Sequence, residues 1–319
     1  MAAKHEHHKL AVVPPRFPRL EDDGGAKVWD SRVFLKATFP PREPLVVIDG
    51  HDTPVFTKHS INQIFAARGT GKSMLGMALA GKHSSGGKFL NWKITRPASV
   101  LYVDGELPNP QIQQRMAQLH SRDARIRLIT LDDHPNGIPA LDMADGQAWL
   151  EAELGDTEVL VLDSIASLAP FATNNEEKWI PFIMWLQRMR SRGLCIHLLH
   201  QAGKSGLQRG HSRGDDPLDV QIKLKTKDED CEYLNCDLTY EKFRGQRKGV
   251  RAVTVEFQNG NWTWHVLEAD KLRLLGEYLS QHPKERDHST RRIAKAMPEL
   301  GSYVTVSKLM HKLSKLNNR

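Results

Sequence analysis

The stretch "INQIFAARGTGKSMLGMALAG", residues 61–81, decides how the rest of the chain is read. A short apolar run enters a glycine-bearing turn, and the turn opens into an apolar-rich helical pattern. A phosphate-binding loop needs backbone N–H groups pointing inward, a lysine for the outer phosphates and a hydroxyl for the metal. Here Arg68, Gly69, Thr70 and Gly71 supply the turn, Lys72 the charge and Ser73 the hydroxyl. The first glycine slot of the usual G-x-x-x-x-G-K-[ST] pattern holds Ala66 instead. That slot lies where the strand meets the loop, whereas the tightest approach falls between Gly69 and Lys72. Losing a glycine there costs conformational freedom without displacing the amides.

Outward from this loop, strand and helix patterns alternate. "LVVI" (45–48), "ASVLYVD" (98–104), "RIRLIT" (125–130), "EVLVLD" (158–163) and "LCIHLLH" (194–200) read as strands, several apolar throughout as in strands buried on both faces. Between them, "NPQIQQRMAQLH" reads as a helix with Asn109 as N-cap and Pro110 at its first position. "EEKWIPFIMWLQRMRSRG" carries Trp179, Phe182, Ile183, Leu186 and Met189 on one stripe. Pro181 suggests a first turn at Lys178 or Trp179, and Gly193 suits the C′ position. The alternation predicts an α/β fold with a mainly parallel sheet. "VQIKLK", "YLNCDLTYEKF", "RAVTVEF" and "WTWHVL" then read as antiparallel additions, with a hairpin turn at "NGN" (259–261).

Three regions follow: an N-terminal extension (1–40), a core (41–267) and a basic helical module (268–319). The extension is proline-broken and polar. Its "HEHH" (5–8) reads as a leader, with adventitious metal binding as the alternative. The formal net charge is +7. From residue 268 onward there are eleven Lys/Arg against six Asp/Glu, so +5 of that sits in the last module. A basic segment attracts polyanions, although a solvated charged surface has the same composition. Its three short amphipathic helices fit a helix-turn-helix or winged-helix module and equally a plain three-helix docking domain. No run approaches the ~18 apolar residues of a membrane helix. The three cysteines, Cys195, Cys231 and Cys236, offer neither a disulfide framework nor a zinc set. Cytoplasm is the expected compartment.

Two acidic signals accompany the loop. Asp163 ends a buried strand, where a carboxylate can hold magnesium beside Ser73. Glu106, in "VLYVDGELP", lies just past another strand end, placed to polarise an attacking water and accept its proton. Asp104 reads as the residue that orients that turn. An exposed turn carboxylate is the plainer alternative for both.

Taken together, the phosphate loop, "VDGE", "VLVLDS" and "LLHQAGKSG" resemble the RecA-like ATPases, and among them the plasmid RepA-type hexameric replicative helicases and related mobile-element ATPases. The resemblance covers roughly residues 45–265. It implies a RecA-like P-loop core, ATP with Mg2+ as nucleotide and metal, and a homo-oligomeric, usually hexameric, ring around single-stranded DNA. It carries Glu106 over as the water-activating glutamate and Asp163 as the magnesium-side aspartate. His200 and Gln201 fall where the family places a polar sensor, though a structural strand cap fits His200 equally. "YEKFRG" supplies Lys242 and Arg244 at the Lys-x-Arg spacing of a finger that reaches a neighbour's phosphates. A basic strand edge that discourages aggregation is the alternative.

Residues 203–216, "GKSGLQRGHSRGDD", are glycine-rich and basic. They follow the sensor strand, where the family keeps a DNA-contacting loop, with Lys204, Arg209 and Arg213 as candidate phosphate contacts. Phe171 is either a stacking group for DNA or a buried side chain. The leading expectation is an ATP-driven, ring-forming helicase in plasmid or mobile-element replication, with a primase or replication initiator as a further partner. The alternatives are an ATP-switched loader, mediator or regulator, and a filament in which nucleotide is structural.

Overall fold

The computed structural model describes residues 28–120, 123, 125–202, 217–227, 233–283 and 290–317. The chain divides into two compact units, residues 1–41 and 42–319. The first contains α1 (Ser31–Lys36), which starts where the Asp30 side chain accepts a hydrogen bond from Arg32 N. Trp29, Phe34 and Phe39 pack ring against ring around it.

The second unit is built on a nine-stranded sheet. β3 (Ser60–Ala66), β6 (Val100–Asp104), β7 (Ile126–Thr130), β8 (Val159–Asp163), β9 (Cys195–Gln201) and β10 (Val220–Thr226) are mutually parallel. β11 (Leu234–Phe243), β12 (Val253–Gln258) and β13 (Asn261–Val266) extend the sheet antiparallel. The spatial order is β13-β12-β11-β10-β3-β9-β8-β6-β7. β3, β6 and β8 are buried along their whole length, which explains the apolar runs of β6 and β8 up to their final aspartates, whereas β3 also buries Ser60, Asn62 and Gln63. The β12–β13 turn uses Asn259 and Gly260, both at positive φ, as a two-residue hairpin requires.

Helices cover both faces. α2 (Lys72–Ser85) and α3 (Asn109–Gln118) lie on one, with Leu75, Leu79 and Ile112 packed against Ile64, Tyr102, Val161 and Leu199. α4 (Ala144–Glu153), α5 (Ile165–Leu168) and α6 (Glu176–Ser191) cover the other. There Leu150, Phe182, Trp185 and Leu186 meet Leu101, Leu160, Leu162 and Ile196. The alternation of Val161 and Leu162 between two cores is the period-two geometry of a strand.

Several sequence expectations are corrected. "LVVI" does not join the main sheet. It forms β1 (Pro44–Ile48) of a separate four-stranded antiparallel sheet with β2 (Pro54–Thr57), β4 (Gly87–Phe89) and β5 (Trp92–Ile94). Asn109 does not cap α3. Its side-chain amide donates to Asp133 and its backbone N–H to Asp132, so the helix begins with Asn109 itself, after Pro108. α6 begins at Glu176 rather than Lys178 or Trp179. Asn175 caps it by accepting from Glu177 N, and Pro181 sits inside the helix. Gly193 follows the helix at φ 106°, as the C′ reading requires.

The C-terminal segment forms α7 (Glu268–Gln281), α8 (Thr290–Ala296) and α9 (Tyr303–Asn317). Leu275, Ile293, Leu300, Val306 and Leu309 make a core of their own, which also receives Val266 from β13. Among the described residues no helix is long and apolar enough to cross a membrane.

Candidate active site

The phosphate loop sits where β3 ends and α2 begins. Ala66 pairs with Gln201 on β9 and Leu224 on β10, and its carbonyl accepts from Ala202 N at 2.7 Å. It is an ordinary strand residue whose methyl group fills core space. The absent glycine therefore removes nothing the loop uses. The two positions that need glycine have it: Gly69 and Gly71 adopt φ 79° and 90°. A Cβ on Gly71 would also fall 1.9 Å from a methyl of Leu234, the first residue of β11, which rests on the loop. Thr70 is buried and its hydroxyl accepts from Thr226 at 3.3 Å, while Arg68 and Gly69 are exposed. Lys72 and Ser73 open α2, whose first four N–H groups have no partner within the helix. Its positive end faces the loop.

The carboxylates meet this loop because of strand register. Asp104 pairs with Asp163 across β6 and β8, placing the two side by side at the carboxyl ends of parallel strands. Lys72 Nζ lies 3.1 Å from Asp163 Oδ1, with only 12% and 3% of the two side chains exposed. The second carboxylate oxygen, Oδ2, accepts from the Tyr102 hydroxyl at 2.7 Å. Burial, then the Asp163 charge, hold the Tyr102 phenol well above its ordinary pKa, so it remains a donor.

Glu106 is gripped at two points. Asp104 Oδ1 accepts from the N–H groups of Glu106 (2.9 Å) and Leu107 (2.8 Å), fixing the turn as the sequence suggests. The Ser164 hydroxyl donates to Glu106 Oε1, and Ser164 follows Asp163 through a cis peptide bond. Gly105 N donates to Asp163 O at 2.8 Å, tying the Glu106 turn to the end of β8. Burial, then the Asp163 charge, raise the Asp104 carboxyl to about 6. Its Oδ2 is buried and has no hydrogen-bond partner among the described residues.

These donors fit a hard divalent cation carried in with phosphates. Among the described residues no group of three or more His, Cys, Asp or Glu side chains could form a cage of its own. Mg2+ characteristically takes one or two carboxylates and completes its shell with phosphate oxygens and water. Asp163, the orphaned Asp104 oxygen and the Ser73 hydroxyl at the helix start are of that kind.

The remaining candidates spread along the sheet. Gln201 ends β9 beside Ala66, half-buried at the mouth of the loop, and His200, one residue before it, is buried. Lys242 pairs with Gln221 on β10, and Arg244 N donates to Asp219 O just past the end of β11. Asp219 in turn donates to Ile61 O, five residues before Ala66, so Arg244 lies roughly 17 Å of strand below its own phosphate loop. Glu241 is the extra residue of a bulge just before Lys242. Phe171 is 54% exposed, so the buried reading does not hold. Lys204, Arg209 and Arg213 fall outside the described residues, as do Cys231 and "HEHH".

Tyr102 and Ser164 escape a motif reading. The available signals were positional: Tyr102 shares a strand face with Asp104 two residues on, and Ser164 is next to Asp163.

The AAA domain family matches residues 16–206, more than half of the chain. The chain belongs to the AAA domain family. No curated protein matches it. Among solved structures it is similar to a KaiC-like protein of the hyperthermophilic archaeon Pyrococcus horikoshii OT3. The TM-score is 0.51 at 15% identity, over 70% of this chain and 99% of that one. The fold is RecA-like, mixed α/β around a mostly parallel sheet. This AAA-family chain is a RecA-like ATPase, and families of this kind use nucleotide, typically with Mg2+.

Proposed function

We propose that this AAA-family chain is an ATP-driven, ring-forming helicase of the plasmid RepA type, acting on single-stranded DNA during replication of a plasmid or mobile element. The observation that carries the reading is the convergence of Lys72, Asp163 and Glu106 at one strand-end cluster, with Lys242 and Arg244 at the other end of the strands. A cationic pair that far below its own loop is suited to a neighbouring protomer's phosphates. The resemblance to the ring helicases makes a hexameric ring the assembly proposed here.

In this reading the loop amides and Lys72 bind the phosphates. The ammonium already has Asp163 as partner, and phosphate oxygens would compete for it. Ser73 and Asp163 would hold Mg2+, which would supply positive charge against the phosphates. Glu106 accepts the proton of the attacking water, oriented by the Asp104 turn and the Ser164 hydroxyl. Gln201, beside the loop, reports its state toward residues 203–216, where Lys204, Arg209 and Arg213 would grip the strand. The basic C-terminal module favours a second reading, an ATP-switched DNA-binding loader or regulator that does not unwind.

A strand-displacement assay with ATP separates the two. The unaltered chain is expected to unwind a tailed duplex, and Lys72→Ala to lose both hydrolysis and unwinding. Unwinding that persists in Lys72→Ala would refute the motor. Hydrolysis without unwinding would leave the loader.

The grip on Glu106 has its own signature. Ser164→Ala is expected to lower kcat about tenfold, the low end for a hydrogen bond to a charged group at ~1.5 kcal/mol, with KM for ATP unchanged. Ser164→Thr, which keeps the hydroxyl, should restore most of the rate. Equal kcat in all three proteins would show that the serine does not position the carboxylate.

A further inference from the structure

The C-terminal helices present a face that the ATPase site does not use. α9 runs fifteen residues without an acidic side chain. Val306, Leu309, Met310 and Leu313 turn one side of it into the module's core. On the opposite side Val304, Lys308, His311 and Lys315, spaced four, three and four apart, form one exposed stripe. Lys312 lies off that stripe and is paired with Glu268 of α7. Residues 290–317 hold six Lys/Arg against one Asp/Glu, Glu299.

The approach to α9 is a tight, anchored turn. Met297 N still bonds Ile293 O, and Val306 N bonds Ser302 O, so only residues 298–301 separate the two helical ladders. Gly301 takes φ 94°, and Leu300 is fully buried, pinning the turn to the core. Arg291 stacks its guanidinium 5.0 Å over the Tyr303 ring, setting the start of α8 beside the start of α9. Tyr303 and Val304 are 47% and 48% exposed at that end. Two helices joined by a four-residue glycine turn, the second with a cationic outer stripe and exposed residues at its N-terminal end, have the form that lies in a major groove.

From this we infer that the C-terminal module binds double-stranded DNA, with α9 in the major groove and Arg292 and Lys295 of α8 facing the adjacent phosphates. The charge of the stripe selects a polyanion, and a helix of about 22 Å fits the wide groove of a duplex. The inference does not depend on the helicase reading. Duplex binding by this face requires neither nucleotide nor residues 203–216.

The test is fluorescence anisotropy of the full chain, without nucleotide, on a labelled duplex and on one of its single strands across a salt series. Duplex binding is expected to weaken steeply with salt. Lys308→Ala/Lys315→Ala is expected to lower the log–log slope by about 2 and to weaken duplex binding on the order of tenfold near 0.15 M salt. ATP hydrolysis and the melting temperature should be unchanged. Arg292→Ala/Lys295→Ala, on exposed positions of the other helix, should act in the same direction. No duplex binding at low salt would overturn the inference and leave the face to a protein partner. An unaltered slope in both double variants would overturn it too, as would single-strand binding with the same dependence on Lys308 and Lys315.

Discussion

Glu106→Gln is expected to bind ATP as tightly as the unaltered chain and to hydrolyse it 10²–10⁴-fold more slowly, the usual worth of a general base. The substitution keeps the side chain's size and leaves an oxygen to accept the Ser164 hydrogen, so the turn should survive. The backbone of that turn is fixed separately by Asp104, which is unaltered. What disappears is the ability to take a proton from water. Equilibrium binding of a fluorescent ATP analogue, alongside phosphate release in single turnover, checks both halves. Hydrolysis within threefold of normal would remove Glu106 from the mechanism. The base would then be sought in the other carboxylate of the turn, Asp104.

Arg244→Ala carries the second large expectation, a 10³–10⁵-fold loss of turnover with nucleotide binding retained, as when a finger that neutralises transition-state charge is removed. Because Arg244 lies roughly 17 Å of strand below its own loop, the loss should be complemented in mixtures. A ring formed from Arg244→Ala and Glu106→Gln subunits contains some boundaries with an intact glutamate on one side and an intact arginine on the other. Activity that rises when the two inactive proteins are mixed is the expected result. No recovery at any ratio, with co-assembly verified by light scattering, would exclude action across a boundary.

Much of this was legible in the residues themselves. The alternation of strands with helices, with β6 and β8 apolar up to their final aspartates, points to a mainly parallel α/β sheet, and Gly69 to Ser73 mark the loop by backbone chemistry alone. The apparent defect at Ala66 dissolves once its neighbours are known: a residue flanked by β9 and β10 is part of the sheet. Sequence could not show that "LVVI" belongs to another sheet, because burial on both faces looks the same in any layer. Nor could it show that Asn109 would spend its side chain on Asp133, since that contact joins residues 24 positions apart. Tyr102 and Ser164 were hidden for a related reason. Each acts on a carboxylate that only strand register brings within reach, and no local spacing encodes register.

β11 begins with Leu234 resting on Gly71 and, about 30 Å later, delivers Lys242 to the far edge. If those cations serve an adjoining protomer, a single rod touches two successive nucleotides. Its neighbours in the sheet stiffen it along most of its length, and the bulge at Glu241 is where it can bend. A nudge from the filled cradle at one tip would then re-aim the trigger at the other, passing the state of each compartment to the next without any separate messenger.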